Sequence, residues 1–460
     1  MMSKTAQAVS AERPQTGALT VGLKLGYGVG DFAFNLVIQT TALYLMYFFT
    51  DVFGIPAAAA GTIFLVSKFW DAGIDPGLGV LVDSTRTRWG KMRPYLLFGA
   101  APLGLSVFLL FLGPSLPPAW KIVYSYATFI FFCTAISLVN IPYVALTAVL
   151  TTDSRARSGL SAYRMSLALL GTLLAGAITK PLVGLASREL LGFRLVGALY
   201  GLLAAGVTLI TFLSVREGTE AQARDKTERR IGFRATLRVL TANPPFMLVV
   251  GGMFLFMTAI GMMAGTVTYY FKYNLQAEGL VPVAFLAMFV TAILCIPLFV
   301  RISNRTSKRT AFLLGMSSMA ALLVVLYFFG ERNRLLTILI FVAAGFGMSS
   351  IYLCPWSMLP DTVEYSQWRT GHRREGILFG TYFLFIQVGG AVAGFLVGTG
   401  LDLTGYTPNV AQSPRALAGI RFLISLGPVV LVALGLVAIS FYSITAERHR
   451  QILQEIEQGG

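Results

Sequence analysis

Long apolar runs alternate with short polar segments along the whole of this chain. The runs at 95–112, 196–213, 311–329 and 417–442 are the cleanest, and each reaches the roughly 18–20 residues a helix needs to cross a bilayer. The full pattern predicts twelve transmembrane helices. Six lie at 22–49, 57–82, 94–113, 120–149, 159–184 and 194–215. Six more lie at 242–271, 281–301, 310–329, 334–359, 375–402 and 417–443. The expected fold class is an all-α polytopic membrane protein built from two six-helix bundles.

The stretch between the two sets, 216–241, is rich in both charge signs and poor in apolar residues, as suits a cytoplasmic linker. It separates a bundle at 22–215 from a bundle at 242–443, with cytoplasmic tails at 1–21 and 444–460. The last tail, with Ile444, Ile452, Leu453 and Ile456, reads either as an amphipathic helix or as a solvated end. A weak internal repeat supports the division: basic loops at 83–93 and 303–309 join the second and third spans of each half. Parallel repeats of this kind hold a substrate site near the midplane between them.

Composition agrees. The chain is 55% hydrophobic and 12% charged, with a mean hydropathy of +0.71, against about 25% charged in an average soluble domain. The formal charge of +15 is not gathered on one face. Basic residues fall in every second loop, at 83–93, 151–158, 216–238, 301–309 and 361–374. The intervening loops at 50–56 and 113–119 are nearly free of them, and those at 186–194, 272–280, 330–334 and 403–416 are mildly charged. This positive-inside pattern puts both termini in the cytoplasm and the protein in the plasma (inner) membrane, and it argues against nucleic acid as a partner. Cys133, Cys295 and Cys354 lie in apolar runs without paired spacing, so no disulfide or structural metal site is implied. The first twenty residues lack an apolar core, and no cleaved signal peptide is expected.

The stretch 68–94 carries the most unusual chemistry. Asp71 and Asp75 are four apart on a predicted spanning helix, hence on one face and about 6 Å apart. A carboxylate at mid-membrane costs roughly 2.5–3.5 kcal/mol on insertion scales. Two on one face either bind a cation, Na⁺ or a carried H⁺, or one of them pairs with a buried base such as Lys68. In span four, Ser137 and Asn140 share a face before Pro142, which frees a backbone carbonyl. They serve as ligands or as interhelical glue.

Span one presents Tyr27, Asp31 and Asn35 at spacing four. Arg164 in span five either snorkels to the cytoplasmic face or points into a polar cavity. Tyr352 and Trp356 in span ten either offer stacking faces for a sugar ring or serve as packing and interface residues, and Gln387 is the main polar side chain of span eleven. Arg86, Asp361, Glu364 and Arg373 gather charge at the expected cytoplasmic mouth, as a bridge cluster that holds one conformation and breaks in another. The chain carries no nucleophile–base signature, zinc-protease motif, P-loop or filter-like motif, which argues against an enzyme and against a passive channel.

Together these residues resemble the glycoside–pentoside–hexuronide:cation symporters of the major facilitator superfamily. The resemblance rests on YGVGDFAFN at 27–35, FFTDVFGIP at 48–56, KFWDAGIDP at 68–76 and RTRWGKMRPY at 86–95. NIPYVALT at 140–147, YRM at 163–165 and DTVEYSQWRTGHRREG at 361–376 extend it across both halves. It implies the major facilitator fold, alternating access, and symport of a sugar or glycoside with Na⁺ or H⁺. It also implies that Asp71, Asp75 and Ser137 form the cation site, the metal being Na⁺ if coupling is to sodium. Asn35, Asn140 and Arg164 match sugar-contacting positions.

Three positions depart from the melibiose-permease branch: Val144 stands at a stacking Trp, Gln387 at a Lys, and Ile74 at a polar residue. PYVALTAVLT, AYRM and PWSMLPD are also similar to the lysophosphatidylcholine symporters, which implies an amphipathic solute as the alternative substrate. No cofactor beyond the coupling ion and no obligate protein partner are expected. The partners are a small-molecule substrate and membrane lipid.

Overall fold

A computed structural model describes residues 20–150, 154–215, 240–371 and 375–459. The named elements among them are helical, and extended pairing is limited to one bridge, Thr87 to Gly90, inside the 83–93 loop. Helix α1 (Val21–Thr40) continues through π turns at Thr41–Leu45 and Phe48–Val52. Then come α2 (Ala57–Ser84), α3 (Arg93–Leu112), α4 (Pro118–Leu150), α5 (Ser154–Gly184) and α6 (Glu189–Ser214). The second half holds α7 (Pro244–Tyr269), continued by a π turn at Tyr270–Asn274, then α8 (Val281–Arg305), α9 (Lys308–Phe329) and α10 (Arg334–Thr370). It ends with α11 (Glu375–Leu403), α12 (Pro414–Ile424), α13 (Leu426–Ser440) and α14 (Ala446–Gly459).

Eleven helical stretches among the described residues are long and apolar enough to cross a membrane. The long helix outside that set is α2, whose 28 residues include Lys68, Asp71 and Asp75. Its charge, not its length, sets it apart.

Two elements differ from the expected boundaries. Span ten was expected to end at 359, with a loop from 361, but α10 runs 37 residues to Thr370 through Pro355 and Pro360. Lys308 holds this extension against α9, donating to both Asp361 oxygens (2.8 and 2.7 Å) and to the Ser357 carbonyl (2.8 Å). Donors from neighbouring helices are what make prolines tolerable in membrane helices. The helix stops at Gly371, whose φ of +69° is open to glycine and whose N–H caps the Gln367 carbonyl at 2.8 Å.

The last span is broken at Ser425 (φ −126°, ψ −83°) into α12 and α13. Pro428 lies four residues after Ile424, so its ring clashes with the carbonyl that would continue α12. The linker residues 216–239, and Arg373 of the expected gate, lie outside the described residues.

Packing repeats with a shift of six helices, α12 and α13 together counting as one. The pairs α1–α5, α1–α6, α2–α4, α3–α4 and α3–α6 are matched by α7–α11, α7–α13, α8–α10, α9–α10 and α9–α13. The halves join through α2–α11 and α5–α8, pairs that exchange under the same shift. Parallel repeats joined this way leave a cavity between the halves. At the α2–α11 contact the backbones nearly touch: a methyl group added at Gly61 would lie 3.1 Å from the Gly394 and Phe395 carbonyl oxygens. The C-terminal tail is helical, with Ile452 of α14 fully buried and Glu455 accepting from Trp368 Nε1 at 2.5 Å.

Candidate functional site

Helix α2 places Ser67, Asp71 and Asp75 one turn apart on one face. Asp71 is buried, and its Oδ2 receives the Lys68 ammonium at 2.6 Å. Of the two sequence readings, a cation ligand or a base-paired acid, the pairing is therefore present for Asp71. It does not use up the site. Ser67 Oγ, Asp71 Oδ1 and Asp75 Oδ1 are buried without hydrogen-bond partners, and Ser137 of α4 is a near neighbour of Asp75. Buried oxygens without donors are costly alone and suit a hard cation or a proton. Cys133, one turn before Ser137, faces Asp71. Lys68 Nζ also lies 3.4 Å from Gln387 Oε1 on α11, so the acid pair is wired to the opposite half.

A second buried cluster joins α1, α4 and α5. Arg164 Nε meets Asp31 Oδ2 at 2.5 Å, Nη2 meets Oδ1 at 3.3 Å, and Nη1 donates to Thr147 Oγ1 at 2.7 Å. The Tyr143 hydroxyl donates to Asp31 Oδ2 at 3.0 Å and lies 2.9 Å from the Tyr27 carbonyl. Tyr27 OH reaches the Tyr143 carbonyl at 2.5 Å. Both rings lie within 5.4 Å of the guanidinium. Arg164 thus neither snorkels nor points free into a cavity, since its donors are engaged by Asp31 and Thr147. Glycines permit the approach: Gly28 of α1 has room for a methyl group only at 3.4 Å from the Arg164 backbone.

The polar groups left for a ligand are elsewhere. Asn35 spends its amide N–H on the Asp31 carbonyl at 2.8 Å and keeps its side-chain oxygen. The half-buried Asn140 side chain has no partner among the described residues. Val144, Tyr352 and Trp356 are 48%, 41% and 46% exposed. Gln387 is exposed beside Lys68.

Among the described residues, the expected cytoplasmic gate charges Arg86, Asp361 and Glu364 show no pairing with one another across the halves. Arg86 is exposed, and Asp361 is held by Lys308 inside its own half. Glu364 pairs with His449 of α14. Asp361, Glu364 and His449 lie close enough together to hold a metal ion, though Lys308 already occupies both Asp361 oxygens.

Polar contacts between the halves concentrate at the opposite end, around a residue the sequence reading left unassigned. Asp51, in the π turn after α1, has a side chain with no solvent exposure, and Lys272 reaches it at 3.0 Å from the π turn after α7. Tyr273 and Tyr406 donate their hydroxyls to its carboxylate, and Asn409 Nδ2 donates to its carbonyl at 2.5 Å. Thr50 Oγ1 lies 2.6 Å from the Tyr269 hydroxyl, and Lys180 bridges Glu189 and Glu278 at 2.5 Å each. Burial, with Tyr269 and Asp51 nearby, raises the Tyr406 phenol above its ordinary value, so it stays a donor. The available signal was Asp51 and Lys272 ending equivalent spans with opposite charge. In the sequence both fall in loops just past an apolar run.

Residues 26–446 match the family described as MFS/sugar transport protein. The chain belongs to this family. Within this sugar-transport family it is 33% identical over 443 residues to the uncharacterized symporter YnaJ of Bacillus subtilis, covering 94% of each chain. It is 31% identical to the putative glycoside/cation symporter YagG of Escherichia coli, covering 95% of each. Among solved structures it is similar in fold to a bacterial homolog of the human lysosomal transporter Spinster, with a TM-score of 0.65 at 12% identity over 95% of this chain and 97% of that one. The resemblance to glycoside–cation symporters therefore holds, and the protein is a multi-pass integral membrane transporter. An inner-membrane location fits both its apolar helices and its relatives.

Proposed function

We propose that this transporter carries a glycoside into the cell together with Na⁺ or H⁺ by alternating access, through twelve spans with both termini in the cytoplasm. The observation that carries the reading is the row of partnerless buried oxygens on α2, from Ser67, Asp71 and Asp75. The coupling ion is cargo. Asp71 and Asp75 supply its charge balance, and Ser137 supplies a neutral oxygen.

Lys68 gives the coupling a physical route. Without an ion, its ammonium neutralises Asp71 and touches Gln387 across the interface. An arriving cation takes over that neutralisation and frees Lys68, which changes the α2–α11 contact. The sugar hydroxyls meet the Asn35 side-chain oxygen and the Asn140 amide, which have no partner among the described residues. Tyr27, Asp31 and Arg164 act as the rigid floor beneath them.

The Asp51 bundle is the gate on the outer side, closed in this conformation. Arg86, Asp361, Glu364 and Arg373 belong to the cytoplasmic gate, which forms when the halves tilt the other way. The test is uptake of methyl glycosides into proteoliposomes with an inward Na⁺ gradient, an inward proton gradient, or neither. Accumulation should require one gradient, and equal accumulation without either would remove the coupling site.

A further inference from the structure

One turn beyond Asn35 on α1, Gln39 borders a cavity of different character. A space of about 240 Å³ is walled by α7, α8, α9 and α10, with a single contribution from the first half, Gln39 of α1. Five of the chain's 15 methionines line it: Met257, Met263, Met288, Met319 and Met348. Phe285, Phe289 and Phe341 supply aromatic walls. Tyr352, 41% exposed, also lines it, so the space is not sealed there. Gln39 and Tyr352 are its polar side chains.

A sugar ring placed here would bury hydroxyls with almost nothing to bond, at a cost for each. An apolar group fits instead. A dry cavity of about 150 Å³ lined by aliphatic and aromatic side chains holds benzene, so the present space takes one ring with a small substituent. Methionines adapt to ring edges through flexible, polarisable thioethers. Gln39 is one helical turn, about 6 Å, beyond Asn35 on the same face of α1, and that separation matches a sugar joined directly to a ring.

We propose that this methionine-lined cavity is the subsite for an aryl aglycone, so that the preferred cargo is an aryl glycoside and not a free sugar. The proposal rests on the glycoside reading above and adds a second, chemically opposite pocket in the other half.

Purified full-length protein tests it with matched methyl and phenyl β-glycosides of glucose, galactose and xylose, their affinities measured by ligand-induced thermal shift with Na⁺ present. For whichever sugar binds, the phenyl glycoside should bind at least about tenfold more tightly than the methyl one, the discrimination typical of an apolar pocket. Ala264 lines the cavity, and Ala264→Phe should bring the phenyl-to-methyl ratio to about one. Ala264→Leu, a smaller filler, should lower the ratio part-way and decides the matter if the larger side chain prevents folding.

Equal affinities in the wild type overturn the subsite while leaving glycoside transport standing. A ratio unmoved by both substitutions does the same. If none of the six compounds binds, the glycoside reading itself fails and the subsite with it. If lysophosphatidylcholine binds and Ala264→Phe abolishes that binding, the occupant is an acyl chain and the aryl assignment is wrong.

Discussion

Helices α1 and α7 occupy matching places in the two halves, yet their inner faces carry opposite chemistry. On α1 the row is Tyr27, Asp31, Asn35 and Gln39; on α7 it is Met257, Ile260, Met263, Ala264 and Val267. The neighbours follow suit. Around α1 stand Arg164 and Tyr143, and around α7 stand methionines and phenylalanines. One packing plan therefore tolerates two chemistries, because the plan fixes which helices touch and not the polarity of the side chains between them. One half thus presents charge and hydroxyls, and the other presents thioethers, rings and aliphatic groups.

Substitutions that attack each half should have effects of different kind and size. The largest is in the polar half: Asp75→Cys should abolish gradient-driven accumulation in proteoliposomes, and full accumulation by that variant would show that the acid pair is structural. Next is the buried cluster. Arg164→Ala leaves Asp31 charged and unpaired, at a cost of about 3–5 kcal/mol, read as a lowered unfolding temperature. Arg164→Leu/Asp31→Leu should recover much of the loss, because it removes both charges. No recovery would mean that Arg164 acts through something other than this pair.

Tyr406→Phe deletes one donor to the buried Asp51 carboxylate, worth about 1.5–3 kcal/mol for a bond to a charged group. It should favour opening on that side, seen as faster labelling of a cysteine placed at Asn409. Unchanged labelling would separate Asp51 from gating. The smallest effect is at the C-terminal helix. His449→Gln removes a partly exposed pairing with Glu364, so it should change stability by no more than about 1 kcal/mol and leave uptake near wild type.

The sequence made the helices legible because apolar length and loop charge are local properties. Asp71 and Asp75 stood out for the same reason: carboxylates inside an apolar run are conspicuous wherever they end up. What stayed hidden depended on partners far apart in sequence. Arg164 looked like a snorkelling or ligand-seeking cation, and its partner Asp31 is 133 residues away. Asp51 and Lys272 looked like loop-edge charges until packing placed them 3.0 Å apart. The methionine cavity could not be read at all, since methionines in a spanning helix look the same whether they face lipid, a neighbouring helix or a void. In sequence Pro355, Pro360 and Asp361 read as a helix end, and the extension of α10 is held by partners far away in the chain, Lys308 on Asp361 and Asn243 on the Thr362 carbonyl.

The near-contact of Gly61 with Gly394 has a mechanical side. Gly61 brings no side chain to the contact, while Phe64 one turn on packs against Gly394, so the two helices are closest here. Gly61 sits close to one end of α2, so about 35 Å of helix extends beyond it. That makes α2 a lever with its pivot near one membrane face. A tilt of roughly 10° moves the far tip by about 6 Å, while Lys68, a third of the way along, moves by about 2 Å. Such a displacement is enough to break the 3.4 Å contact of Lys68 with Gln387 while the other end of the helix swings further. The lengths of the two arms alone convert a small event at Asp71 into a large one at the membrane surface.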